Sequence, residues 1–198
     1  MNTLLDVARI TLLAGIAIGC GRIDSPPVAI APGPDVMLPD VPTDPFGTPG
    51  KTYDQLLLIT ETARKTPWDG EVEHLAAWLE AQTVAVERSR AFLIGLAVGA
   101  EDVFAVANGR LALLYEHIAS TLTDAEAVIT DPDVDFDWMG KQMLLWEQAN
   151  GYWSRCAVGC SLGGPYLDVW ELRCEAGAEE TGARFRPPMP EPSPRQPE

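Results

Sequence analysis

Apolar positions recur at three, four and seven through most of residues 51–175. No stretch of comparable length alternates with the period of two that a strand requires. Tyr53, Leu56, Leu57 and Ile59 share one helical face, and Thr52 with Gln55 has capping-box spacing. Thr66-Pro67-Trp68-Asp69 reads as a second start, with a cap, a proline at the first helical position and an acid at the third. Val72, Leu75, Leu79 and Val86 follow it as a stripe. Residues 91–100, AFLIGLAVGA, predict a buried central segment in which Gly95 and Gly99 admit a close neighbour. Val103, Phe104, Ala107, Leu111, Leu114 and Ile118 form a long stripe with Asp102 at its head. Thr123-Asp124-Ala125-Glu126 repeats the capping-box pattern ahead of a short helix. After the Asp131-Pro132 break, Asp137 caps a helix carrying Trp138, Met139, Met143, Trp146 and Ala149. Gly163-Gly164-Pro165 ends that pattern, and Leu167, Trp170 and Cys174 carry the last one. These signals predict an all-α body, a compact bundle of five to seven helices.

A short helical-hairpin array is the alternative. Leu111-Ala112-x-x-Tyr115 resembles the first helix of a tetratricopeptide unit, but no second copy follows at the expected period.

The flanks differ from the body. Residues 21–50 carry prolines at 26, 27, 32, 34, 39, 42, 45 and 49. Each removes a donor and fixes φ, so this segment predicts an extended, disordered tether with a reach of roughly 90 Å. Residues 176–198 end in RFRPPMPEPSPRQPE and predict a disordered tail. At the start, Arg9 precedes an apolar run from Ile10 to Gly19. That run is too short for a hydrocarbon core, which needs about 20 residues, and suits a secretory signal.

Ala17-Ile18-Gly19-Cys20 resembles the lipobox of bacterial lipoproteins. The resemblance covers only about the first 20 residues. It implies cleavage of 1–19, a diacylglyceryl group on the Cys20 thiol, and a mature chain that starts there. Two or more acyl chains anchor stably where one binds marginally. The expected organisation is a signal peptide at 1–19, a lipidated Cys20 and tether at 20–50, a helical domain at 51–175 and a tail at 176–198.

Charge narrows the partners. The 198-residue chain has 29 Asp and Glu against 14 Lys and Arg, a net charge of −15. This excludes nucleic acid, whose phosphates it repels, and disfavours electrostatic attachment to anionic lipid. Hydrophobic residues make up 46%, enough for a core.

Candidate chemistry is sparse. An exported domain meets an oxidising compartment, so the body cysteines invite a disulfide. Cys156 and Cys174 lie nearly symmetrically about Gly163-Gly164 and are the first choice; Cys160 with Cys174 is the second. No metal centre or cofactor is expected. A zinc site needs a fourth ligand, and His74 and His117 are far off in sequence. Glu71-x-x-His74 matches half of a di-iron carboxylate pattern, whose second half is missing. Asp131, Asp133, Asp135 and Asp137 alternate in DPDVDFD, an acidic loop that reads as the approach to the Asp137 cap. Trp138, Trp146 and Trp153 recur near heptad spacing, as core packing or as a stacking groove for sugar or peptide. The sequence contains no GxSxG, P-loop or GxGxxG.

The resulting expectation is a non-enzymatic lipoprotein of the bacterial envelope. It would be anchored in the membrane, at the outer membrane facing the periplasm or at the cell surface, and would bind or assemble an envelope protein partner. The alternatives are a ligand- or glycan-binding lipoprotein using the tryptophans, and an enzyme using the 131–137 loop.

Overall fold

The computed structural model describes residues 39–129 and 136–185. Cys20, the signal segment, the tether up to residue 38, Asp131, Asp133, Asp135 and the tail beyond residue 185 lie outside the described residues. The described residues are all-α. They form helices α1 (Lys51–Arg64), α2 (Val72–Leu96), α3 (Glu101–Val128), α4 (Trp138–Ser161) and α5 (Asp168–Phe185), with a single 3-10 turn at Pro165–Leu167. No strand occurs among them.

Helix α3 is the axis. Its residues from Ala105 to Tyr115 are all buried, as expected for a helix covered on every side. The α1–α2 hairpin packs on one flank and the α4–α5 hairpin on the other. The sequence stripe named only part of that burial, because small residues (Ala105, Ala112, Ala119) let neighbouring helices close over the remaining faces.

Several helix boundaries differ from the sequence reading. Helix α1 begins at Lys51 with Gly50 as its cap residue, so Thr52 sits inside the first turn. Thr66 does not start a helix. Its hydroxyl donates to the Thr62 carbonyl, and its own carbonyl accepts from the Trp78 indole at 2.9 Å. The Gln82 amide donates to Ala63 O at 3.1 Å. Two α2 side chains thus donate to carbonyls at and just past the end of α1, tying the two helices together. Thr123 likewise starts nothing, because α3 runs through it and its hydroxyl bonds back to Ala119 O. Leu122 and Ala125, both fully buried, keep that stretch on the core.

The largest departure is AFLIGLAVGA. It forms the end of α2 and the turn after it rather than a central segment. Leu93 is buried, but Ile94 is 74% and Val98 94% exposed. Helix α2 packs through one side only: at its last turn Leu93 is buried and Gly95 lies beside Thr52 of α1, while Ile94 faces out.

Asp137 caps α4 as expected, accepting the Gly140 N–H at 3.0 Å. The chain reverses at Gly163-Gly164-Pro165, and α5 continues to Phe185 rather than ending at 175. Gly177 explains the extension. A Cβ there would lie 2.5 Å from the Trp153 indole, so the glycine lets the helix lie flat on that ring. Gly109 does the same on α3, where a Cβ would meet the Trp170 ring at 2.6 Å and Cys156 Sγ at 2.9 Å. Gly151, by contrast, faces open space.

These contacts predict opposite outcomes for two glycines. Gly109→Val is expected to cost about 1–3 kcal/mol by overpacking. Gly151→Ala is expected to gain about 0.5–1 kcal/mol from helix propensity. Urea unfolding of each variant measures both.

Candidate functional site

Residues 39–50 belong to the bundle. This strap lies across α1, α3 and α5, and Arg110 holds it. The guanidinium, on the most buried part of α3, is only 6% exposed. Its Nε and Nη2 donate to Asp44 Oδ1 at 3.1 and 2.6 Å, Nη2 also donates to Pro42 O, and Nη1 donates to Glu61 Oε1 at 3.1 Å. The Trp170 ring lies 5.0 Å beneath it, and the Trp170 indole donates to Thr43 O. Burial works against the Arg110 charge, but the Asp44 carboxylate outweighs it and holds the pKa above the ordinary value. Beside this node, burial and then Asp44 push the Tyr53 phenol well up. Phe46 meets the Tyr53 ring edge-on.

Arg173 makes a second clamp. It donates to Asp40 O and, at 3.2 Å, to Glu116 Oε2, and stacks over Trp153. The Trp153 indole donates to Glu116 Oε1 at 2.7 Å. Burial raises the Glu116 pKa against the opposing pull of Arg173.

This arrangement settles where the tryptophan stripe lies. Trp153 is fully buried under Gly177 and Arg173, and Trp146 is buried with Arg184 over its ring. Trp138 is half-buried against Phe136. The three do not share an open face. Helix α5, longer than the sequence indicated, covers the middle and last of them, so the stripe is core packing and not a stacking groove.

Cys156 and Cys174 form a disulfide, with Cα atoms 5.7 Å apart. The second-choice pairing is therefore not made. Cys160 is a free, buried thiol 3.9 Å from Cys156 Sγ, and all three sulfurs lie within 4.8 Å of one another. Burial, with Glu171 adding to it, pushes the Cys160 pKa up to about 12. His74 is exposed and pairs with Asp69 at 2.6 Å, while Glu71 is the cap residue of α2. The half di-iron pattern is thus a helix start.

An apolar groove lies where α2 and α4 both rest on α3. It has a volume of about 320 Å³. Its floor is Val86, Tyr115, Ile118 and Leu122, and Leu79, Leu144 and Leu145 form its walls. Tyr115 stacks on Tyr152 with ring centroids 5.4 Å apart. Arg90, Lys141 and Glu87 stand at its edge, none of them in an ion pair among the described residues. Burial and Tyr152 raise the Tyr115 pKa, and the Arg90 charge opposes them, which places that guanidinium beside the floor. A second apolar groove of about 370 Å³ runs between α1 and α2, lined by Leu58, Ile59, Val84 and Ala85.

Compared with known protein families, with curated proteins and with solved structures, the chain matches none. No helix among the described residues is long and apolar enough to cross a membrane.

Sequence reasoning missed Arg110 and the groove. Arg110 had a signal: it is the single charge between Val103 and Tyr115, and a buried charge requires a partner. The groove had none, because it depends on how far apart two helices settle on a third.

The two histidines are expected to titrate on opposite sides of the ordinary value near 6.5. Asp69 raises His74, whereas burial and Arg64 lower His117. Folded His117 holds its proton less tightly than the unfolded residue. Its contribution to stability is complete above the unfolded value and is lost as pH falls through the folded one. NMR titration should show one midpoint above and one below 6.5. His117→Gln should lose less stability than the wild type between pH 7.5 and 5.5.

Proposed function

We propose that this chain is a lipid-anchored, non-enzymatic binding module of the bacterial envelope, which engages a protein partner through the α2–α4 groove. The groove carries the reading. It is an apolar channel left open between two helices, with two cationic side chains, Arg90 and Lys141, and one acidic one, Glu87, at its edge on a chain of net charge −15. Those cations suit acidic groups on a partner, and the floor suits its large apolar side chains. The volume fits individual side chains rather than a docked helix, since ten residues of helix about 10 Å across occupy roughly 1,000 Å³. The Gly19-Cys20 start supports the anchor, and the proline-rich stretch after it supports a tether that ends where the strap meets Arg110.

A second reading keeps the same groove for a small apolar ligand, because its volume falls at the lower end of the range for small-molecule pockets. The enzyme alternative finds no support at Asp137, whose carboxylate is occupied as a helix cap.

Metabolic labelling with a palmitate analogue is expected to mark the wild type and not Cys20→Ala. A photo-crosslinking side chain at Leu144 or Thr83, on the groove, is expected to trap one specific envelope protein in intact cells. The same group at the exposed Val169 is expected to trap none. Equal labelling of Cys20→Ala would remove the anchor, and equal crosslinking from both faces would remove the groove.

A further inference from the structure

We propose that the reduced form of this chain holds one soft, thiophilic metal ion of the monovalent copper class in a three-sulfur site made by Cys156, Cys160 and Cys174. The sulfurs come from two packed helices. Cys156 and Cys160 are four residues apart on one face of α4, and Cys174 meets them from α5. With metal–sulfur distances of about 2.3 Å, a trigonal site has sulfur–sulfur edges of roughly 4.0 Å. The Cys156–Cys160 edge is already 3.9 Å, and no sulfur of the trio is more than 4.8 Å from another. Only the Cys156–Cys174 edge has to open, and Cα atoms 5.7 Å apart leave that to side-chain rotation.

The donor set selects the ion. Three thiolates favour soft cations, and no His, Asp or Glu joins the trio among the described residues. A tetrahedral zinc site therefore lacks its fourth ligand, whereas a three-coordinate ion does not need one. The site is also dry. Cys156 and Cys174 are fully buried and Cys160 nearly so, with Gly109 leaving the space in which the Cys156 sulfur sits.

Redox state gates the site. A dithiol reductant delivers two electrons and two protons to the Cys156–Cys174 bond and becomes a disulfide itself. The three thiols then release three protons as the ion binds. In the oxidised chain only the Cys160 thiol remains, and one sulfur does not make the site.

The test is anaerobic titration of the full chain, carrying Cys20→Ser, with copper(I) against a chromophoric copper(I) chelator, before and after dithiothreitol reduction. The expected result is one ion per reduced chain, sulfur-to-copper charge-transfer absorption, and three sulfur neighbours by X-ray absorption. The oxidised chain should bind none, and Cys160→Ser should bind at least about a hundredfold more weakly. Circular dichroism should show the helices intact in the reduced chain before metal is added. Unchanged binding by Cys160→Ser, a two-sulfur shell, or loss of the helices on reduction would each overturn the proposal.

Discussion

Arg110 sits on a helix that is covered on every side, and its charge has to be met there. An unpaired guanidinium in that position costs several kcal/mol, so the surrounding chain is arranged to answer it. Asp44 and the Pro42 carbonyl come from the strap, Glu61 from α1 and the Trp170 ring from α5. One side chain therefore fixes three elements onto α3. Its geometry also explains how the proline-rich residues 39–50 are held: a polar backbone without helix or sheet partners is satisfied by Arg110, Arg173 and the Trp170 indole.

The second constraint is steric. Large rings lie where small residues allow them, with Trp170 against Gly109 and Trp153 against Gly177. This interlocking brings α5 close enough to α4 for the Cys156–Cys174 bond, which should add about 3 kcal/mol in the chain-entropy view. It also leaves α2 with the fewest constraints. That helix packs along one side, exposes Ile94 and Val98 at its end, and borders both open grooves. The binding face proposed for the molecule thus lies along its least enclosed helix.

Much of the fold was legible in the sequence because helical periodicity is a local signal. The all-α class, the Asp137 cap, the Gly163-Gly164 reversal and the Cys156–Cys174 pairing could all be read from spacing. Errors arose where tertiary contacts override local preference. Capping-box patterns at Thr52 and Thr123 fall inside longer helices, and the apolar run at 91–100 reads as core although only one side of it, with Leu93, is covered. The tryptophan spacing fitted core and groove equally, and only the reach of α5 to Phe185 decided between them. The site was less legible than the fold. The α2–α4 groove has no motif, and the third sulfur became informative only once α4 brought Cys160 beside the bridge.

The account depends on the buried charge holding the strap to the bundle, and a double-mutant cycle between Arg110 and Asp44 tests this most directly. Urea unfolding of Arg110→Met, Asp44→Leu and the pair should give a coupling energy of about 2 kcal/mol or more, with the double variant more stable than the single losses added together imply. A coupling below about 0.5 kcal/mol, the level of an exposed ion pair, would show that the strap is held by something else and would contradict the account.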